Sequence, residues 1–157
     1  MVKVLFACLG NICRSPMAQG IFQKLITENN LADRISCDSC GIENYQVGKP
    51  PDERAQNIMT WHEINLEHKA RKITTDDLKT FDYVLIMDEV VEDYIKTLYK
   101  KTPGARSKLL MMRTFDPLAK STVVPDPYYS GMEEFVKTYD ILYRCCQKFL
   151  EHLQSQS

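Results

Sequence analysis

Val2-Lys3-Val4-Leu5-Phe6-Ala7-Cys8-Leu9-Gly10-Asn11-Ile12-Cys13-Arg14-Ser15-Pro16 is the stretch that decides the fold. Residues 2–7 form a β-prone apolar run that stops at a Gly/Asn turn, as a buried first strand does. Ser15-Pro16 then opens the helical pattern Ala18-Gln19-Gly20-Ile21-Phe22-Gln23-Lys24-Leu25-Ile26. Ser15 is expected as its N-cap and Pro16 at the first helical position, where a missing N–H costs nothing. The unit is strand, loop, helix, and the loop carries a thiol at one end and a guanidinium at the other.

The same alternation continues outward. A second strand is expected over 35–39, followed by a loop at 41–51 and an amphipathic helix over 52–62. The apolar run 81–87 reads as a third strand, ending at Asp88-Glu89 before a further helix, and 108–112 as a fourth. The proline-bearing stretch 115–130 is expected to be a long ordered loop, and the final helix to run over 132–153. Strands alternating with helices imply an α/β class. The expectation is one domain over 1–157, a doubly wound four-stranded parallel sheet with helices on both faces. Ligands of such sheets bind outside the carboxyl ends of the strands, where Cys8, the 39–41 turn and Asp88 should emerge.

Composition narrows the function. Twenty basic residues against twenty-one acidic ones leave no broad field to attract nucleic acid or an anionic membrane, so any anion site must be local. No apolar run approaches the roughly 18 residues needed to span a bilayer, and nothing at the start reads as a signal peptide. Six cysteines in three close pairs are a poor disulfide framework. They fit a reducing, cytoplasmic setting, where such pairs are catalytic, redox-active or buried.

The loop has the chemistry of a dianion site. Backbone N–H groups from Leu9, Gly10, Asn11, Ile12 and Cys13 to Arg14 can curl into a nest. A helix N-terminus adds positive potential, and Arg14 can grip two phosphate oxygens in a fork. Gly10 and Asn11 permit the backbone angles of such a turn. With no ligand present the same field favours a thiolate at Cys8. The Ser15 hydroxyl could donate to that sulfur, and later to it as a leaving group. A lone thiol and arginine at this spacing arise by chance, and it is the strand before and the Ser-Pro helix start after that give the pattern meaning.

With these residues in view, the segment Val4-Leu5-Phe6-Ala7-Cys8-Leu9-Gly10-Asn11-Ile12-Cys13-Arg14-Ser15-Pro16-Met17-Ala18 resembles the active-site segment of the low-molecular-weight protein-tyrosine phosphatases. The resemblance continues through Asp38-Ser39, His68-Lys69-Ala70-Arg71, Phe81-Asp82-Tyr83, Met87-Asp88-Glu89 and Asp126-Pro127-Tyr128-Tyr129. It implies hydrolysis of phosphotyrosine in proteins, and of small aryl phosphates, through a phosphocysteine on Cys8 with Arg14 binding the phosphate. Inorganic phosphate would be product and competitive ligand, and no cofactor or metal would be required. Asp126, pinned between Pro125 and Pro127, is by spacing as good a turn as an acid; the resemblance makes it the general acid and base. Tyr45, Tyr128 and Tyr129 would line the cleft, although many family members carry tryptophan where Tyr45 stands. Asn11, Ser39 and His68 resemble a family network that shapes the loop, and Asp88 reads as no more than a helix cap.

The remaining cysteines leave questions. Cys13 shares the loop with Cys8, and relatives with both use them as a reversible redox pair. Cys37 and Cys40 form a C-x-x-C that spans a strand rather than opening a helix, so burial is expected over redox chemistry. Four thiols, from Cys8, Cys13, Cys37 and Cys40, could in principle hold zinc. Cys145 and Cys146 are expected to pack. Two rival functions are an arsenate reductase of the same fold and a non-catalytic phosphotyrosine-binding module. The first needs a downstream cysteine relay, and no cysteine lies between Cys40 and Cys145.

Overall fold

β1 (Val2–Ala7) presents Val4 and Phe6 to one side and Leu5 and Ala7 to the other, the period of two that a strand imposes. Each side meets its own layer of helices, so the run is apolar throughout. The computed structural model of the chain describes residues 1–156. Its elements follow in the order α1 (Arg14–Glu28), β2 (Ile35–Cys40), α2 (Glu53–Trp61), α3 (Asp77–Thr80), β3 (Tyr83–Ile86), α4 (Glu89–Lys100), β4 (Lys108–Met111) and α5 (Met132–Ser155), with a 3-10 turn at Met112–Phe115. The four strands are all parallel in the order β2-β1-β3-β4. The architecture is the expected α/β sheet with helices on both faces.

Phe6, Phe22 and Phe149 join β1, α1 and α5 through ring contacts of 5.5 and 5.7 Å. Across the sheet, Leu5, Ala7, Val84 and Ile86 pack with Val91 and Ile95 of α4. In register, Ala7 stands beside Cys40 and Ile86, and Ile86 beside Met111, so all four strands end along one edge. Cys8, Gly41 and Asp88 emerge there.

Local details differ from the sequence reading. α1 starts at Arg14 with Cys13 in the capping position, and no side chain caps it. Ser15 therefore lies inside the first turn, its hydroxyl turned into the loop rather than back over the helix. β2 runs one residue past the expected end at Ser39, taking Cys40 out of the turn. The third strand is shorter than 81–87, because the unanticipated α3 ends against Phe81. Thr74 and Asp77 start α3 with reciprocal bonds, each backbone N–H donating to the other's side chain.

The long loop after β4 is ordered by Asp116, whose side chain accepts from Arg144 Nε (2.9 Å), Arg113 Nε (3.4 Å) and the Leu118 N–H (2.9 Å). Further along, the Val124 N–H donates to the Met87 carbonyl at 2.8 Å. That bond brings the loop to the end of β3.

Candidate active site

The loop after β1 is fastened on three sides. The Cys8 N–H donates to the Cys40 carbonyl, the Leu9 carbonyl accepts from Ile42 and Glu43, and the Ile12 carbonyl accepts from the Asp52 N–H at 2.7 Å. At its centre Asn11 adopts φ 59°, a left-handed conformation that Asn tolerates better than most residues. Its side chain is fully buried and bonded at both ends. Nδ2 donates to Ser15 Oγ (2.7 Å) and Ser39 Oγ (2.9 Å), while Oδ1 accepts from His68 Nε2 (2.8 Å) and the Arg71 N–H (3.0 Å).

This arrangement orients the hydroxyls. Ser39 donates to Gln19 Oε1 at 2.5 Å, leaving its oxygen to accept from Asn11. Ser15 Oγ accepts from Asn11, so its own hydrogen is directed to Cys8 Sγ at 2.9 Å or the Cys40 carbonyl at 3.3 Å. The Asn11 N–H also points at Cys8 Sγ, at 3.3 Å. The sulfur thus faces one backbone donor and one hydroxyl able to donate to it. His68, which bonds Asn11 through its Nε2–H, is held below the ordinary imidazole value by burial and by Arg71, against the opposing Asp38. It is neutral at pH 7.

Arg14 is 2% exposed, a cost that an isolated cation could not meet. Nη1 donates to Asp88 Oδ2 at 2.7 Å and to the Val124 carbonyl at 2.9 Å, and Nη2 lies 3.6 Å from Asp126 Oδ2. Burial opposes its charge; Cys8, Asp126 and Asp88 outweigh burial and raise it above the ordinary arginine value.

Cys8, Leu9, Gly10, Ile12, Cys13, Arg14, Asp126 and the three tyrosines Tyr45, Tyr128 and Tyr129 line one cavity, together with Glu43 and Gln46. Its volume is about 40 Å³, a few times the roughly 10–15 Å³ that one water needs. A tetrahedral anion suits that space. Tyr129 is 90% exposed and Tyr45 64%, so these two form a rim open to solvent, whereas Tyr128 is half-buried. Cys13 is buried at the cavity wall rather than exposed; burial first, then Asp52 and Cys8, push its thiol well above the ordinary range. Asn11, Ser15, Ser39 and His68 lie behind the loop, outside the cavity.

The family model described as low molecular weight phosphotyrosine protein phosphatase matches residues 3–157. The chain belongs to this family. The family's phosphatase from Rattus norvegicus is 43% identical over 149 residues, which cover 95% of this chain and 94% of the relative. Among solved structures, YfkJ from Bacillus subtilis superposes with a TM-score of 0.89 at 33% identity, covering 100% of this chain and 97% of that one. A Drosophila arginine phosphatase superposes with a TM-score of 0.92 at 30% identity, covering both chains fully.

Within this phosphatase family member, four contributors to the site escaped the sequence reading. Asp88 does cap α4, through the Val91 N–H, but its second oxygen binds Arg14. Gln19 takes the Ser39 proton, Arg71 supplies a backbone N–H to Asn11, and Arg54 reaches the Asp126 loop. A carboxylate placed one strand from a buried arginine was the available signal for Asp88. Among the described residues, no three His, Cys, Asp or Glu side chains converge as metal ligands. Cys37 faces Gln19 and Gln23 of α1 instead, and Cys145 and Cys146 are packed in the core.

Proposed function

We propose that this chain hydrolyses phosphotyrosine through a phosphocysteine intermediate. The observation that carries the reading is convergence: Cys8 and Arg14 of one loop, and Asp126 from a segment remote in sequence, line one anion-sized cavity at the carboxyl edge of the sheet. Cys8 Sγ attacks phosphorus as Arg14 and the loop N–H groups hold the equatorial oxygens. The P–O bond to the aryl group breaks and Asp126 gives its proton to the departing oxygen. Water then attacks phosphorus, Asp126 takes back a proton, and the S–P bond breaks to release phosphate. Ser15 donates to the departing sulfur. Asn11, Ser39 and His68 hold the loop in shape, and the aromatic rim of Tyr45, Tyr128 and Tyr129 favours a flat aryl ester.

No helix of the described residues is long and apolar enough to cross a membrane. Six free cysteines suit a reducing cytoplasm. There Cys13, kept a neutral thiol, could condense with a Cys8 sulfenic acid and release water, so peroxide would inactivate reversibly. Of the cysteines, Cys8 and Cys13 alone line the cavity among the described residues, which speaks against an arsenate-reductase relay.

The test is hydrolysis of a phosphotyrosine peptide, an aryl phosphate and phosphoarginine, with and without chelator, by wild type, Cys8→Ser and Asp126→Ala. Chelator-insensitive turnover of the aryl esters, abolished by Cys8→Ser, supports the reading. Preference for phosphoarginine, or binding without turnover, overturns it.

A further inference from the structure

The loop bearing Asp126 is secured upstream by the Val124 N–H and carbonyl. Downstream, where Tyr128 packs against the core, its carbonyls accept from one side chain of another element among the described residues. Arg54, in the first turn of α2, donates Nη1 to the Ser130 carbonyl at 2.6 Å and Nη2 to the Tyr128 carbonyl at 2.8 Å. The same guanidinium binds Asp52 through Nε and Nη2, both at 3.0 Å, and lies 4.4 Å from the Phe135 ring centre. Asp52 in turn donates its N–H to the Ile12 carbonyl at 2.7 Å. The phosphate loop and the Asp126 loop are therefore linked through Ile12, Asp52, Arg54 and the Tyr128–Ser130 backbone. Asp126 Oδ1 accepts from the Tyr128 N–H at 3.1 Å, so the backbone that Arg54 grips is the backbone that aims the carboxylate.

A surface ion pair with Asp52 alone would contribute little. Two directional bonds to carbonyls on either side of Tyr129 are different, because they fix a position rather than merely satisfy a charge. A planar fork is the group that can do this for three acceptors at once, and lysine cannot. With most of its N–H groups already engaged, Arg54 is poorly suited to hold substrate.

We propose that Arg54 is a positioning residue: by clamping the Tyr128–Ser130 backbone to the phosphate loop, it sets where the Asp126 carboxylate meets the leaving oxygen. This rests on the phosphatase reading, in which Asp126 is the acid. Protonation matters most for a poor leaving group, so the effect is visible in leaving-group dependence and not merely in activity.

The test compares kcat/KM for phenyl phosphate, a poor leaving group, with that for p-nitrophenyl phosphate, a good one, in wild type, Arg54→Met, Arg54→Lys, Asp126→Asn and the Arg54→Met/Asp126→Asn double variant. Inorganic phosphate inhibition reports the loop itself. Arg54→Met is expected to lower the phenyl phosphate value about tenfold more than the p-nitrophenyl value, with phosphate inhibition unchanged. Arg54→Lys should fall between, and the double variant should match Asp126→Asn in this ratio. Equal losses on both substrates, weakened phosphate inhibition in step with activity, or a further change of ratio in the double variant overturns the proposal. If Arg54→Met does not fold, Arg54→Lys carries the same comparison. An unchanged ratio in Asp126→Asn refutes the acid assignment, and the proposal with it; a changed ratio there but not in Arg54→Met refutes the proposal alone.

Discussion

Asp88 binds Arg14 with one oxygen and caps α4 with the other: Oδ2 accepts from Nη1 at 2.7 Å and Oδ1 from the Val91 N–H at 3.0 Å. The residue thereby ties the Arg14 guanidinium to the end of β3. A hydrogen bond to a charged group contributes about 1.5–3 kcal/mol, and the cap about 1 kcal/mol. Asp88→Asn preserves an oxygen for the cap but not the charge beside Arg14. Its kcat/KM on an aryl phosphate should fall about tenfold and its melting temperature should drop, but by less than in Asp88→Ala, which loses the cap as well; steady-state kinetics and melting curves separate the two.

Ser15 Oγ accepts from Asn11 and has Cys8 Sγ at 2.9 Å and the Cys40 carbonyl at 3.3 Å as targets for its hydrogen. The donor is worth most when negative charge collects on the departing sulfur. Ser15→Ala should slow breakdown of the phosphoenzyme by on the order of 100-fold, comparable to loss of one oxyanion donor. Rapid-quench kinetics would then show a burst of phenol followed by slow turnover, and an unchanged steady-state rate would count against the role.

His68 gives stability a pH dependence of known sign. Its folded value lies below the ordinary one, chiefly through burial, so the unfolded chain takes up a proton first as pH falls. Stability is then full above about pH 6.5 and declines below it until the folded imidazole also protonates. Urea unfolding at about pH 7.5 and about pH 5.5 should show this loss in wild type and a smaller one in His68→Gln.

Asp116 has no exposed side-chain surface and pairs with Arg113 and Arg144. Arg144 in the first place, against burial, holds its carboxyl below the ordinary value. Its contribution is present above the usual carboxylate range and lost as pH falls through the folded value. Asp116→Ala should cost about 3 kcal/mol, since it strands two arginines and frees the loop that carries Asp126. Denaturant midpoints measure this, and a change under 1 kcal/mol would show that the pairing contributes little.

The sequence disclosed what is local. The strand, loop and helix around Cys8, and the sheet class, follow from apolar periodicity and turn residues within a few positions of each other. What it concealed is long-range or degenerate. Ser-Pro before a helix reads equally well whether the serine caps the helix or turns inward, and only Asn11 and Cys8 in place decide it. Asp88 and Arg54 each reach a partner more than 70 positions away, where no periodicity connects them. Asp126 could be singled out by resemblance but not by spacing, because an Asp-Pro turn looks the same with or without chemistry nearby.

The docking of Val124 on Met87 and Arg14 also has a meaning in time. Synthesis proceeds from the amino end, so Cys8, Arg14 and Asp88 leave the ribosome well before Asp126. Asp126 reaches the cavity only once its loop has closed on β3, and that loop leads directly into α5, whose Phe149 completes the packing on Phe22. α1, which begins at Arg14, packs on that same helix, so both walls of the cavity are complete only once the last helix is in place.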